Sequence, residues 1–174
     1  MAFTPRLTFS ESELYTNKYF ADGQKEWGAY KMPNCTCYAW CRFYEILGSW
    51  PTLSEGNAKD WWYYEKDGYA RGQTPALGAV AVYDYPATPS KAGHVMIVEE
   101  IDANGDITTS QSGWGASSYF WTGKYYKSNN WEYGSARLLG FIYNPGAGTA
   151  GSPSGMSTVN KLQEFLDEAA SHIG

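Results

Sequence analysis

Asn34-Cys35-Thr36-Cys37-Tyr38-Ala39-Trp40 is the stretch on which the reading of this chain turns. Pro33 halts what precedes it and Asn34 is a strong N-cap residue. Tyr38, Ala39, Arg42, Phe43, Ile46 and Leu47 then recur at helical period until Gly48. The pattern predicts a helix with Cys35 in its first turn, where unpaired N–H groups and the positive end of the helix dipole favour an anion. A free thiol has a pKa near ~8.5, so attack on an amide at neutral pH needs such help, or a histidine. The N–H of Cys35 is also placed to help bind an oxyanion. The competing reading of Cys35 is a small buried residue. Cys37 and Cys41 lie on another face and read as packing. The set Cys35, Cys37, Cys41 and His94 matches no familiar zinc spacing.

A base for the thiol has to be His94, because the chain has only two histidines and His172 lies beyond a Gly/Pro/Ser-rich stretch. His94 opens Gly93-His94-Val95-Met96-Ile97-Val98-Glu99, which reads as a strand apolar on both faces. A core histidine is the bland alternative. A catalytic imidazole needs an acceptor at its other nitrogen, and the following strand is the place to look. Asn104-Gly105 predicts a two-residue hairpin pairing Glu99 with Ser110 and Val98 with Gln111. Gln111 then shares His94's face but stands four residues along the ladder, roughly 13 Å away at the usual strand rise. Either a bulge or a longer turn shifts that register, or Ser112 or a backbone carbonyl orients the ring instead.

Around this pair the organisation is α+β, with helices first and an antiparallel sheet after. Residues 1–33 read as an irregular lead-in with a short helix from Ser10 or Ser12 through Phe20. A second helix is expected from Asn57 to Lys66, ending near Gly68. Strands are expected over Gly78 to Tyr83, His94 to Ile101, Ile107 to Ser112, Tyr119 to Thr122 and Leu138 to Tyr143. Composition then divides the chain into a catalytic unit over 1–145, a flexible Gly/Ser/Pro linker over 146–156, and an amphipathic helical tail over 157–174 that opens a further module.

The composition excludes several partners. Eighteen acidic against thirteen basic residues, with no Lys/Arg run, argue against nucleic acid or an anionic membrane surface. No stretch is apolar and long enough to span a bilayer, and no secretion signal opens the chain. Aromatics are abundant, at 8 Trp and 15 Tyr, and such rings line sugar and peptide grooves as well as filling cores. Trp114, Tyr119, Trp61 and Trp62 are the candidates to flank the thiol and hold substrate. Trp114 leads them, because it follows the strand of Gln111 between two glycines.

These residues resemble the CHAP family, the cysteine- and histidine-dependent amidohydrolases/peptidases of phage endolysins and bacterial cell-wall hydrolases. The resemblance rests on Asn34-Cys35-Thr36-x-Tyr38-Ala39-Trp40, on Pro75-x-Leu77-Gly78-Ala79-Val80-Ala81-Val82, on Gly93-His94-Val95-x-Ile97-Val98-Glu99, and on Ser110-Gln111-Ser112-Gly113-Trp114. It implies a papain-like fold, Cys35 as nucleophile, His94 as base, and hydrolysis of an amide in bacterial peptidoglycan with no cofactor. Many members carry Glu and, two residues later, Asn after the histidine strand, where this chain has Gln111 and Gly113. Some bind calcium through aspartates near the nucleophile. Only Asp22 is available here, so no metal is expected. The tail and the missing signal fit a protein released at phage lysis or carried on a virion to the cell wall. A non-catalytic wall-binding or virion structural module is the alternative.

Overall fold

The computed structural model describes residues 3–27 and 31–151. Four helices, α1 (Glu13–Thr16), α2 (Lys18–Trp27), α3 (Cys35–Leu47) and α4 (Asp60–Tyr63), precede the strands β1 (Arg71–Gly72), β2 (Val80–Asp84), β3 (His94–Ile101), β4 (Ile107–Gln111), β5 (Trp121–Tyr125) and β6 (Arg137–Ile142). The strands form one antiparallel sheet in the order β1-β6-β2-β3-β4-β5. The fold is thus α+β, with the helices before the sheet.

The sheet has two covered faces, as the apolar run of β3 requires. Val80, Val82, Val95, Ile97 and Ile142 pack against Tyr38, Ala39 and Phe43 of α3. Ala81, Tyr83, Met96, Val98 and Phe141 face the other way, into a cluster with Ile107, Trp131 and Leu138. The α3 helix is bounded by local chemistry at both ends. The Asn34 side chain accepts from the Cys37 N–H at 3.0 Å, and Gly48 closes the last turn in the left-handed region.

The lead-in is more helical than its sequence suggests. Asn17 is extended and breaks α1 from α2, and its side chain accepts from the Tyr19 N–H at 2.9 Å, so it caps a helix that runs on to Trp27. Gly23 inside α2 lies against Cys41, where a Cβ would sit 2.5 Å from the sulfur, so close packing offsets its low helix propensity. The helix expected over 57–66 is cut to α4 followed by a 3-10 turn at Glu65–Asp67. The Arg71 guanidinium takes up the carbonyls of Trp61, Trp62 and Tyr64, which a continuing helix would need for itself. The strand expected at Tyr119 starts at Trp121, and β1 has no counterpart in the sequence reading.

Residues 146–151 depart from the expected linker. They form part of a 3-10 segment, Pro145–Gly151, in which Ala147 and Gly151 are buried. Leu77 donates its N–H to the Ala150 carbonyl at 3.0 Å. Gly146 sits on the backbone of Ile46 and Leu47, so the glycines here permit close approach rather than freedom. The rest of the linker, His172 and the tail helix lie outside the described residues.

Candidate active site

The N-terminus of α3 and the start of β3 meet at one end of the sheet. Cys35 is half-buried there, and the backbone N–H groups of Val95, the residue after His94, of Thr36 and of Cys35 itself act on its thiol in the direction that favours ionisation. Gly93 makes this junction possible. Its φ is +88°, and a Cβ would crowd the Tyr83 carbonyl and the Lys59 backbone. The Lys59 N–H donates to Ala92 at 2.9 Å, fixing the segment before α4 to the entrance of β3.

His94 is buried at 7% exposure, and its Nε2 lies 2.9 Å from Gln111 Oε1. The expected separation of four residues is cut to two by two one-residue shifts. The connection between β3 and β4 runs from Asp102 to Asp106, so Ile101 pairs with Ile107, one step from the tight-turn register. A bulge between Val98 and Glu100 adds the second step, and Ile97 pairs with Ser110. One shift alone would have turned Gln111 to the other face of the sheet; two restore the face and bring it near enough. Gln111 then stands diagonally across from His94, a distance its long side chain spans.

The surroundings of Gln111 fix its orientation. Its amide nitrogen donates to Tyr125 Oη at 2.8 Å and to Thr109 Oγ1 at 3.2 Å, which leaves its oxygen facing the ring. A ring nitrogen facing a carbonyl oxygen must carry the proton. Neutral His94 therefore has its lone pair on Nδ1. The Tyr133 ring packs 5.2 Å from the imidazole and 5.6 Å from Tyr125, covering this bond. Trp121, opposite Gln111 on β5, leans over Gly113. Tyr125, Tyr133 and Trp121 were not candidates from sequence. The signal that was there lay in Gly113 and Gly123, each of which vacates the space a neighbouring ring fills.

Burial governs the charges. It pushes the Cys35 thiol up from its ordinary value, and the three N–H groups at the sulfur pull against it without reversing the shift. It also pushes the His94 pKa down, opposed by the Gln111 hydrogen bond. Both shifts favour the uncharged form of each group, against the thiolate expected at the helix start. An uncharged Gln111 is in keeping with this, since it orients the ring without stabilising an imidazolium as a carboxylate would.

The four aromatic candidates fall in different places. Trp61 is fully buried among Trp27 and the α3 residues, with its indole N–H 3.4 Å from the Gly56 carbonyl, so it is a core ring and not a groove residue. Trp62 is half-buried, with the outer edge of its indole in the space a Cβ at Gly140 of β6 would take. Tyr119 is half-exposed just before β5, and Trp114 is 72% exposed past the end of β4. Cys37 and Cys41 are buried, and the Cys37 thiol together with burial pushes the Cys41 thiol up from its ordinary value. Ser112, the alternative orienting group, is buried, and its hydroxyl has no hydrogen-bond partner. Among the described residues, no group of three or more His, Cys, Asp or Glu side chains is arranged to hold a metal ion, and no helix is long and apolar enough to cross a membrane.

Known proteins resemble this chain to different degrees. The chain is 36% identical over 83 residues to the probable autolysin LDP of Staphylococcus aureus (strain NCTC 8325 / PS 47), a match covering 47% of this chain and 28% of the autolysin. Among solved structures, an N-acetylmuramoyl-L-alanine amidase from Staphylococcus aureus superposes with a TM-score of 0.46 at 23% identity, over 65% of this chain and 33% of that one. The protein Ly7917 superposes with a TM-score of 0.49 at 16% identity, over 66% and 54%. The CHAP domain family model matches residues 24–113, just over half of the chain and the part that holds Cys35, His94 and Gln111. The chain belongs to the CHAP domain family.

Proposed function

We propose that this protein is a peptidoglycan hydrolase that cleaves an amide bond of the bacterial cell wall with Cys35 as nucleophile, His94 as base and Gln111 as the group that orients the base. Membership of the CHAP domain family and the similarity to a probable autolysin support the substrate class. The observation that carries the chemistry is the His94–Gln111 hydrogen bond at the start of β3, where the next residue, Val95, acts through its N–H on the Cys35 thiol.

In this reading His94 Nδ1 takes the Cys35 proton as the sulfur attacks the carbonyl carbon. A C–S bond forms, and the negative charge moves to the carbonyl oxygen. The Cys35 N–H, in a first helical turn with no intrahelical acceptor, is positioned to stabilise that oxygen. The imidazolium then returns its proton to the leaving nitrogen as the C–N bond breaks. Water hydrolyses the thioester by the same base and frees the thiol. The neutral resting pair suits this sequence, because a buried imidazole with lowered pKa is unprotonated and ready at neutral pH.

The bond is either the one between muramic acid and the stem peptide, as in an N-acetylmuramoyl-L-alanine amidase, or one within the stem and cross-bridge peptides. Digestion of purified walls, with the new termini identified by mass spectrometry, decides between them. Free lactyl carboxylates on muramic acid together with free N-terminal alanine on the stem peptides mean an amidase, and new termini within the stem or cross-bridge peptides with the muramoyl–peptide amide intact mean an endopeptidase. Walls that are bound but yield neither would make the protein a wall-binding module.

A further inference from the structure

We infer that Tyr85 is a substrate-contacting residue of this site, its hydroxyl donating a hydrogen bond to the acyl group held at Cys35. The inference rests on the reading of Cys35 as the nucleophile. Tyr85 follows the last residue of β2, and that strand sets Tyr83 opposite His94, so Tyr85 emerges at the end of the sheet where the proposed pair lies. Its half-buried ring packs against the same cluster as Tyr125 and Tyr133, and the Tyr133 ring lies 5.2 Å from the imidazole. Other phenols of this group are engaged inside the protein. Tyr83 Oη donates to the Trp131 carbonyl at 2.7 Å, and Tyr125 Oη takes the Gln111 N–H at 2.8 Å. The Tyr85 hydroxyl makes no hydrogen bond among the described residues.

Charge links this phenol to the thiol. Burial pushes the Tyr85 pKa up from its ordinary value, and the Tyr133 phenol and the Cys35 sulfur push it the same way. The phenol therefore lies within electrostatic reach of the sulfur, and it stays protonated wherever a Cys–His pair operates, which keeps its O–H a donor. The segment behind it is fixed before any substrate arrives. The Tyr85 carbonyl accepts the Thr88 N–H at 2.9 Å, the Thr88 carbonyl accepts the Lys91 N–H at 3.0 Å, and Lys59 Nζ donates to the Pro89 carbonyl at 2.6 Å. The Lys91 ammonium then sits 4.6 Å from the centre of the Tyr85 ring and holds it by a cation–π contact. Whichever amide is cleaved, one acceptor must come to rest beside the sulfur: the carbonyl oxygen of the scissile bond. That oxygen gains charge as the C–S bond forms, and a donor held in place beforehand stabilises it together with the Cys35 N–H.

The test compares wall digestion with alkylation of Cys35 by iodoacetamide in the full chain. Alkylation needs the thiol but displaces iodide at a saturated carbon, so it builds no charge on a carbonyl oxygen. Tyr85→Phe keeps the ring and its Lys91 contact and removes only the O–H. It should slow digestion of purified walls by about 10- to 100-fold, because water replaces part of a donor's effect at a half-exposed position. Its melting temperature should match the parent's, and its alkylation rate should stay within about 2-fold. A Tyr85→Phe protein that digests like the parent, or one whose alkylation falls in step with digestion, overturns the inference. If Tyr85→Phe does not fold, Tyr85→Gln and Tyr85→Leu decide. They are alike in size, so the variant with a donor should digest walls faster, and equal rates overturn the inference. Cys35→Ala separates the two readings: if it digests walls, the nucleophile reading fails and Tyr85 falls with it, whereas an inactive Cys35→Ala beside a normal Tyr85→Phe defeats Tyr85 alone.

Discussion

The two ends of β3 bury polar side chains in opposite ways. At one end the Glu99 carboxylate is fully buried and takes hydrogen bonds from Arg42 Nε at 3.0 Å, another Arg42 guanidinium nitrogen at 2.8 Å, Ser110 Oγ at 2.6 Å and the Arg6 N–H at 2.9 Å. Arg42 and Arg6 also share Glu45, whose pKa burial pushes up but which these cations and Asn17 hold below the ordinary carboxylate value. At the other end His94 and Gln111 form a buried network with no charge. Both ends lie in low dielectric, where a charge persists only if every site around it is paired. The Glu99 end meets that condition and locks the lead-in onto α3. The His94 end has no countercharge, and burial there favours the neutral ring that the proposed proton transfer needs.

Breaking each end should therefore give a different phenotype. Cys35→Ala should abolish wall digestion while leaving the melting temperature unchanged, whereas Cys37→Ser and Cys41→Ser, buried in the α2–α3 contact, should lower the melting temperature and spare the chemistry. Paired digestion and thermal-melt assays check this, and an active Cys35→Ala protein would end the thiol reading. Arg42→Ala should do the reverse, costing about 3–5 kcal/mol of stability by leaving Glu99 buried without its partner, with digestion preserved in the cold where the protein remains folded. Denaturant unfolding measures the loss.

Smaller changes sharpen the contrast. Gln111→Ala should slow digestion by about 10- to 100-fold, less than removal of His94, because orientation is only part of what the base needs. Trp114→Ala should reduce digestion if the ring holds substrate, with a stability change within about 0.5 kcal/mol, as expected for a side chain this exposed. A digestion rate equal to the parent's would remove Trp114 from the groove.

What could be read from the sequence was whatever local chemistry encodes. The ends of α3 were legible because Asn34 and Gly48 are cap residues acting on their own turns, and β3 was legible because Val95 to Val98 form an unbroken apolar run. The face of Gln111 was legible too, since parity survives two compensating shifts. Its distance from His94 was not, because neither the five-residue connection nor the bulge leaves a mark in residue type. Trp61 was misread because a Trp doublet on a short helix divides between core and surface, and only tertiary packing tells which ring goes inside. Tyr125 escaped notice for a similar reason: Gly123 in a strand signals that something approaches closely, but not which ring does so. The segment 146–151 shows the same ambiguity of glycine, whose composition serves flexibility and tight packing alike.

The central claim is that a neutral thiol–imidazole pair, oriented by a neutral amide, does the chemistry. NMR titration of the His94 ring in the resting protein tests it most directly. Burial lowers the folded-state pKa of His94, so its midpoint should fall below the ordinary histidine value near ~6.5, and digestion should decline as pH drops through that midpoint. Gln111→Glu, which adds a negative charge beside the ring, should move both upward together. A His94 that is already an imidazolium at neutral pH in the parent protein, titrating well above that value against a Cys35 thiolate, would contradict the account.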